Sequence, residues 1–348
     1  MAGREKWDVD KFHMCLTVFW WGILFIAAMY LMLTTAFRKT IVIAEGSYEQ
    51  ESTASAWSGE EREKEVPLVS TDQGTGIILI PLEKDIKAEN VVVENSYMKR
   101  EMHIFIKGAV DEFYGENPMT GDVANIRWAG RKKQRNGVFL NLHMDGVYEY
   151  RTSMDGEYLR IESCDPHEVY DLLVVVDCME SGQKESEQFA AAVCRLIPKQ
   201  LDHDNIRFYF TNAEEEALSE EERLAFVEES HADLFLSVGV AAMEDASVYG
   251  ICGWYNENYF IPEFGNVELA DIVTRNVTIA SGNRAIGLQS AAEDSILQEL
   301  RIPAAGVELG NLTNDQERIL LSRGNYREKL AQGIAEAIRE VYTNYYER

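Results

Sequence analysis

The rhythm of hydrophobic and polar residues changes three times along the chain. Residues 14–37, "MCLTVFWWGILFIAAMYLMLTTAF", contain no charged side chain. As a helix rising about 1.5 Å per residue, this run spans about 36 Å, enough to cross a hydrocarbon core of about 30 Å. It is longer than a signal-peptide core, and no A-x-A cleavage site follows it. The pattern predicts an uncleaved transmembrane anchor behind a short tail, residues 1–13. Arg4, Lys6 and Lys11 precede the run, and Arg38 and Lys39 follow it. That small excess places the N-terminus inside and the remaining chain outside the cytoplasm. Residues 38–75 are rich in Glu, Ser, Thr and Gly without an apolar period and read as an acidic, solvated linker.

From residue 76 to 165 the period is two. "GIILIPLE", "NVVVENSY", "MHIFIKG", "GVFLNLHM", "GVYEYRTS" and "EYLRIES" alternate or run apolar over strand lengths. Asp145-Gly146 and Asp155-Gly156 punctuate them as hairpin turns do. A small antiparallel β domain is expected.

From residue 168 to 348 strand-like and helix-like segments alternate. "YDLLVVVD", "IRFYF", "ADLFLSVGVAA" and "IPAAGVEL" read as strands covered on both faces. Between them Phe189, Val193, Leu196 and Ile197 repeat at helical spacing. Ser219 and Glu222 form a capping box before another helix. Tyr326, Leu330, Ile334, Ile338 and Val341 line one face of a closing helix. The expected fold class is α/β, a mostly parallel sheet with helices on both faces.

Composition narrows the function. Apolar residues make up 46% of the 348, enough for a sizeable core, and the formal charge is -26. Such a chain lacks the cations that displace counterions from nucleic acid, so nucleic acid is excluded as a partner. Cys164, Cys178, Cys194 and Cys252 are scattered, with no C-x-x-C pair. They read as small buried hydrophobes, with a single bridge such as Cys164–Cys178 as the alternative.

Three blocks of residues 168–343 carry a family resemblance. "VVVDCMESG" (174–182) stands where the pattern reads V-V-x-D-P-G-H-G-G. "ADLFLSVGVAA" (232–242) stands where it reads A-D-L-F-I-S-I-H-A-N-A. "RIPAAGVELGNLTNDQERILL" (301–321) stands where it reads M-P-A-V-L-V-E-L-G-F-L-S-N and is the most specific of the three. In order and spacing, this half of the chain resembles the zinc-dependent N-acetylmuramoyl-L-alanine amidases, which separate the stem peptide of peptidoglycan from the glycan. The resemblance implies an amidase-like fold at the cell envelope and peptidoglycan, or another envelope protein, as partner.

It also implies four site positions. Zinc hydrolases use three protein ligands, a bound water of lowered pKa and a carboxylate base. Carried over, the first histidine position is Glu180 and the helix glutamate is Glu185, with Glu187 as the other register. The second histidine position is Gly239, where the ligand is lost, and the base is Glu308. Two of three zinc ligands are therefore replaced. His231 and His203 precede strands and belong at the opposite sheet edge; His103 and His143 belong to the β domain. Glu180, Glu185 and Glu308 suit a hard cation such as Ca²⁺ or Mg²⁺ better than catalytic zinc. The alternative is a set of separate carboxylates around a groove that holds no metal.

Two functions follow. The first is a membrane-anchored extracytoplasmic protein whose amidase-like domain is catalytically inactive, needs no cofactor and binds peptidoglycan or a protein. The second is an active amidase with an atypical metal site. Cys178 has no visible cationic neighbour and is read as structural rather than nucleophilic. "RWAGRKKQR" (127–135) reads as a solvated basic loop, or else as a patch for an anionic polymer or acidic partner. In "GWYNENYFIPEF" (253–264), Trp254, Tyr255 and Tyr259 are candidates for stacking on sugar rings, or they cover the sheet.

Overall fold

The computed structural model describes residues 40–41, 43–45, 63–71, 76–179, 182–201, 205–211 and 218–347. The expected anchor, residues 14–37, lies outside the described residues, as do Glu180 and His203. Among the described residues no helix is long and apolar enough to cross a membrane.

The first half is a pair of six-stranded sheets. One has the order β1 (Thr40–Ile41), β11 (Glu149–Asp155), β12 (Tyr158–Cys164), β5 (Ile77–Pro81), β8 (Met119–Gly121), β4 (Leu68–Ser70). The other runs β2 (Ile43–Glu45), β6 (Val91–Ser96), β7 (Glu101–Lys107), β10 (Gly137–Met144), β9 (Ile126–Gln134), β3 (Lys64–Glu65). Period-two sequence produces this directly. In β7 Met102, Ile104 and Ile106 point inward while Glu101, His103 and Phe105 point out. The inward sets of β5, β6, β7, β10 and β12 meet in one apolar core. Pairing is antiparallel except for β2 with β6 and β4 with β8.

Two differences from expectation stand out. The stretch 38–75, read as linker, supplies four of these twelve strands, β1 to β4. They are end strands of two or three residues, too short to display a period. The basic stretch 127–135, read as a loop, is most of β9 and pairs with β10 and β3. Its Arg131 is drawn to buried Asp111 at 3.6 Å, and exposed Lys64 pairs with the same carboxylate at 2.8 Å.

The second half holds a six-stranded sheet of order β14 (Ile206–Phe210), β13 (Leu172–Cys178), β15 (Leu234–Ala241), β18 (Ala304–Asn311), β16 (Ile251–Tyr255), β17 (Ala285–Ser290). The first four strands are parallel, β16 is antiparallel to β18, and β17 is parallel to β16. Every residue of β13 and β15 is buried, as their unbroken apolar runs require. Helices α1 (Lys184–Cys194), α3 (Asn266–Ser281) and α5 (Gly324–Val341) cover one face. Their apolar stripes, such as Leu330, Ile334, Ile338 and Val341, pack on Val174, Val176, Leu236 and Val307. Helix α2 (Glu220–Glu229) and the segment 291–300 cover part of the other face, together with Met98 and Val147 of the β domain. Helix α4 (Asp315–Leu321) closes the end of β18.

The two halves are clasped by a buried polar cluster. Arg207 Nε of β14 pairs with the Glu149 carboxylate of β11 at 2.8 Å. The hydroxyls of Tyr97 and Tyr209 donate to its two oxygens at 2.8 and 3.0 Å. The Arg207 guanidinium also lies 4.8 Å from the Tyr97 ring centre.

Candidate functional site

Alternation along the parallel strands decides which side chains meet. Val175, Asp177 and Met179 share one face near the carboxyl end of β13; Phe235, Ser237 and Gly239 share it on β15; Ala304, Gly306 and Glu308 share it on β18. A cleft of about 400 Å³ opens over this face. Asp177, Met179, Ser237, Glu308 and Trp254 line it from the sheet, Glu220 and Arg223 from α2, and residues 291–292 and 294–297 from the loop after β17. In an α/β sheet, the carboxyl ends of the strands are where ligands bind.

The deepest charge is Asp177, 2% exposed. Its carboxylate accepts from the Thr211 and Ser237 hydroxyls and faces Arg223 Nη1 at 3.6 Å. Arg223 reaches it because α2 starts at a completed capping box, Ser219 with Glu222, which sets the direction of that first turn. Asp177 is thus neutralised and held.

Glu308 is different. In the sheet it lies between Gly239 of β15 and Cys252 of β16. Its Oε2 and the Trp254 indole N–H beside it are both buried, and neither has a hydrogen-bond partner among the described residues. Burial pushes the Glu308 carboxyl above the usual carboxylate range; the Trp254 indole N–H, near it but outside hydrogen-bond geometry, pulls the other way. Cys252 is pushed up to about 11 by burial and then by the Glu308 charge. A carboxyl shifted this way holds a proton more readily than a free carboxylate does, the direction a general base needs.

Gly239 is where the amidase resemblance puts the second histidine, and its surroundings decide what fits there. A Cβ on Gly239 would lie 2.6 Å from Met179 Sδ, 3.0 Å from Met179 Cβ and 3.1 Å from Met179 Cγ. A Cβ on Gly306, one strand over, would lie 2.9 Å from Met179 Cε. The Met179 side chain therefore lies across both glycines and fills the space beside Glu308. Zinc wants imidazole or thiolate donors converging on one point, and here that point holds a thioether chain. Glu185 is exposed on the first turn of α1 and is not among the cleft-lining residues. The neighbouring Glu187 turns back to accept from the Gly182 N–H at 3.1 Å. Among the described residues no three His, Cys, Asp or Glu side chains are grouped to hold a metal ion. The residues described do not fit a zinc ion.

The aromatic candidates separate. Trp254 lines the cleft, whereas Tyr255, adjacent on β16, packs with the helix-covered core. Tyr259 is partly exposed in the following loop, with the Arg301 guanidinium 4.9 Å from its ring centre. His231 sits at the amino end of β15, where its Nδ1 faces Asp165 at 3.7 Å. His103 and His143 flank Glu101 on the β domain at 2.9 and 3.2 Å. Cys164 does not meet Cys178; its thiol donates to the Glu149 carbonyl at 3.6 Å. Asp177, Ser237 and Arg223 escaped the sequence reading. Asp177 stood inside the first block, but nothing in the chain announced that α2 would bring an arginine to it.

The site thus belongs to an α/β domain with a carboxylate-bearing cleft at the carboxyl ends of its central strands. Residues 177–340 of this domain match the family model described as N-acetylmuramoyl-L-alanine amidase. Over 126 residues the chain is 27% identical to the N-acetylmuramoyl-L-alanine amidase CwlM of Mycobacterium tuberculosis. That stretch covers 36% of this chain and 30% of the relative's length. Among solved structures, the catalytic domain of CwlV, an N-acetylmuramoyl-L-alanine amidase from Bacillus (Paenibacillus) polymyxa var. colistinus, is 21% identical. It covers 49% of this chain and 98% of its own, with a TM-score of 0.44. An N-acetylmuramoyl-L-alanine amidase from Clostridium difficile 630 is 20% identical, covering 50% and 98%, with a TM-score of 0.45.

Proposed function

We propose that this chain is a membrane-anchored, extracytoplasmic envelope protein whose amidase-like domain binds peptidoglycan, or a protein associated with it, without hydrolysing it. The observation that carries this reading is Met179 lying in the space beside Glu308 where the resemblance requires an imidazole on residue 239. Of the four family positions, only Glu308 contributes a side chain to the cleft among the described residues. The family match supports the peptidoglycan class of partner. The uncharged run 14–37 supports the anchor.

The purified chain is expected to sediment with cell-wall sacculi, to carry no stoichiometric zinc and to release no stem peptide. Stoichiometric zinc together with peptide release would overturn the reading. Labelling an introduced cysteine at position 57 in intact cells is expected to succeed with a membrane-impermeant reagent; protection of that position would overturn the orientation.

One observation favours the second reading, an amidase with an atypical metal site: Glu308 is retained and its pKa is raised, as a base requires. On that reading Glu308→Gln abolishes stem-peptide release and leaves the fold intact.

A further inference from the structure

Cys178 closes β13 and Cys194 closes α1. Their sulfurs lie 2.8 Å apart, and both are buried, at 5% and 1% exposure. A covalent S–S bond is about 2.05 Å, so a sub-ångström movement of two rotatable side chains closes the gap. The remaining described cysteines are placed otherwise. Cys164 is directed at the Glu149 carbonyl and Cys252 at the Gly253 carbonyl, 3.8 Å away. Both cysteines belong to the apolar core beneath the helices, together with Ala190, Val193, Val238 and Val240.

We propose that Cys178 and Cys194 are a modification site, joined as an intramolecular disulfide by a low-molecular-weight disulfide oxidant such as oxidised glutathione. The Cys178 thiolate, at the less buried end, attacks one sulfur of the oxidant. The oxidant's S–S bond breaks, a mixed disulfide forms, and one thiolate leaves. The Cys194 thiolate then attacks the Cys178 sulfur, forming the internal bond and expelling the second thiolate. The protein gives up two electrons and two protons; the oxidant takes them and leaves as two thiols. Burial and the adjacent Cys178 hold the Cys194 thiol well above its ordinary range, so exchange proceeds while the segment between the two cysteines folds or opens.

The bridge would enclose residues 179–193 and tie the strand bearing Asp177 to the helix bearing Glu185. It would therefore fix the segment from which Met179 reaches across Gly239 and Gly306. The inference is independent of whether the cleft hydrolyses or only binds.

The test is peptide mapping of the full chain, refolded in oxidised glutathione, denatured, alkylated in the denaturant and digested without reductant. One cross-linked peptide pair holding Cys178 and Cys194 is expected, disappearing on reduction, with three of the five cysteines alkylated. Cys164→Ala should keep the cross-link and Cys178→Ala should abolish it. The wild-type map decides even if the second variant does not fold. Alkylation of both Cys178 and Cys194 at every glutathione ratio, or either one bridged to a different cysteine, would overturn the proposal.

Discussion

Gly239→Ala is the smallest change that asks whether Met179 fills the cleft floor. The new methyl would lie 2.6 Å from Met179 Sδ, 3.0 Å from its Cβ and 3.1 Å from its Cγ. The thioether end can swing away, but the Cβ is fixed to the backbone at the end of β13, whose N–H bonds the Val238 carbonyl at 2.9 Å. Overpacking of this kind costs about 1–3 kcal/mol. Against it stands a gain of about 0.4–1 kcal/mol from the stiffer unfolded chain. A net loss of about 1–2 kcal/mol remains, and at about 2–4 °C per kcal/mol for a domain this size the midpoint should fall by about 2–8 °C. Calorimetry of wild type, Gly239→Ala, Met179→Ala and the double variant measures it. Met179→Ala removes the Sδ and Cγ contacts, so the two changes should couple favourably by about 1 kcal/mol. If Gly239→Ala leaves the midpoint unchanged or raises it, and the cycle shows no coupling, Met179 does not occupy that space and the argument against an imidazole there fails.

Two further outcomes test the electrostatics. The Glu308 carboxyl is raised above 4.5 by burial, so its ionised form opposes folding. The stability it contributes is fully present below its unfolded pKa and is lost as pH rises through its folded one. Glu308→Gln should therefore be more stable than wild type at neutral pH, with the difference shrinking as pH falls toward 4.5; equal unfolding midpoints in urea at both pH values would contradict the assignment. Arg207→Met removes the cation from buried Glu149 and should cost about 3–5 kcal/mol in urea denaturation, with the transition becoming biphasic as the halves separate; a loss below about 1 kcal/mol would show that the clasp is not what holds them together.

What was legible in the sequence was whatever rests on periodicity. Alternation exposed β5, β6, β7 and β10, and unbroken apolar runs exposed β13 and β15, because each pattern has one burial solution. The capping box located α2 from Ser219 and Glu222 alone. Beyond that, the linker reading of 38–75 missed β1 to β4, whose two or three residues are too short to display a period. The basic run 127–135 misled for a related reason: in β9 the charge of Arg131 is directed at Asp111, a residue some twenty positions away that Lys64 of β3 also pairs with. At the site, the three blocks located the strand ends, where Glu308 and Gly239 stand paired across β18 and β15. The role of Met179 was not visible, since a methionine beside a strand end gives no sign of which neighbour it covers. The approach of Arg223 and Trp254 to the same cleft likewise depends on how α2 and β16 dock, which local pattern does not encode.

The way Met179 lies over two glycines on separate strands constrains the routes by which this lineage can change. An imidazole at position 239 would meet the Met179 side chain, so the thioether must move before the ring can enter. Retreat alone leaves a hole under the cleft with nothing gained. The side chains tolerated at 179 and 239 are therefore set jointly rather than one at a time.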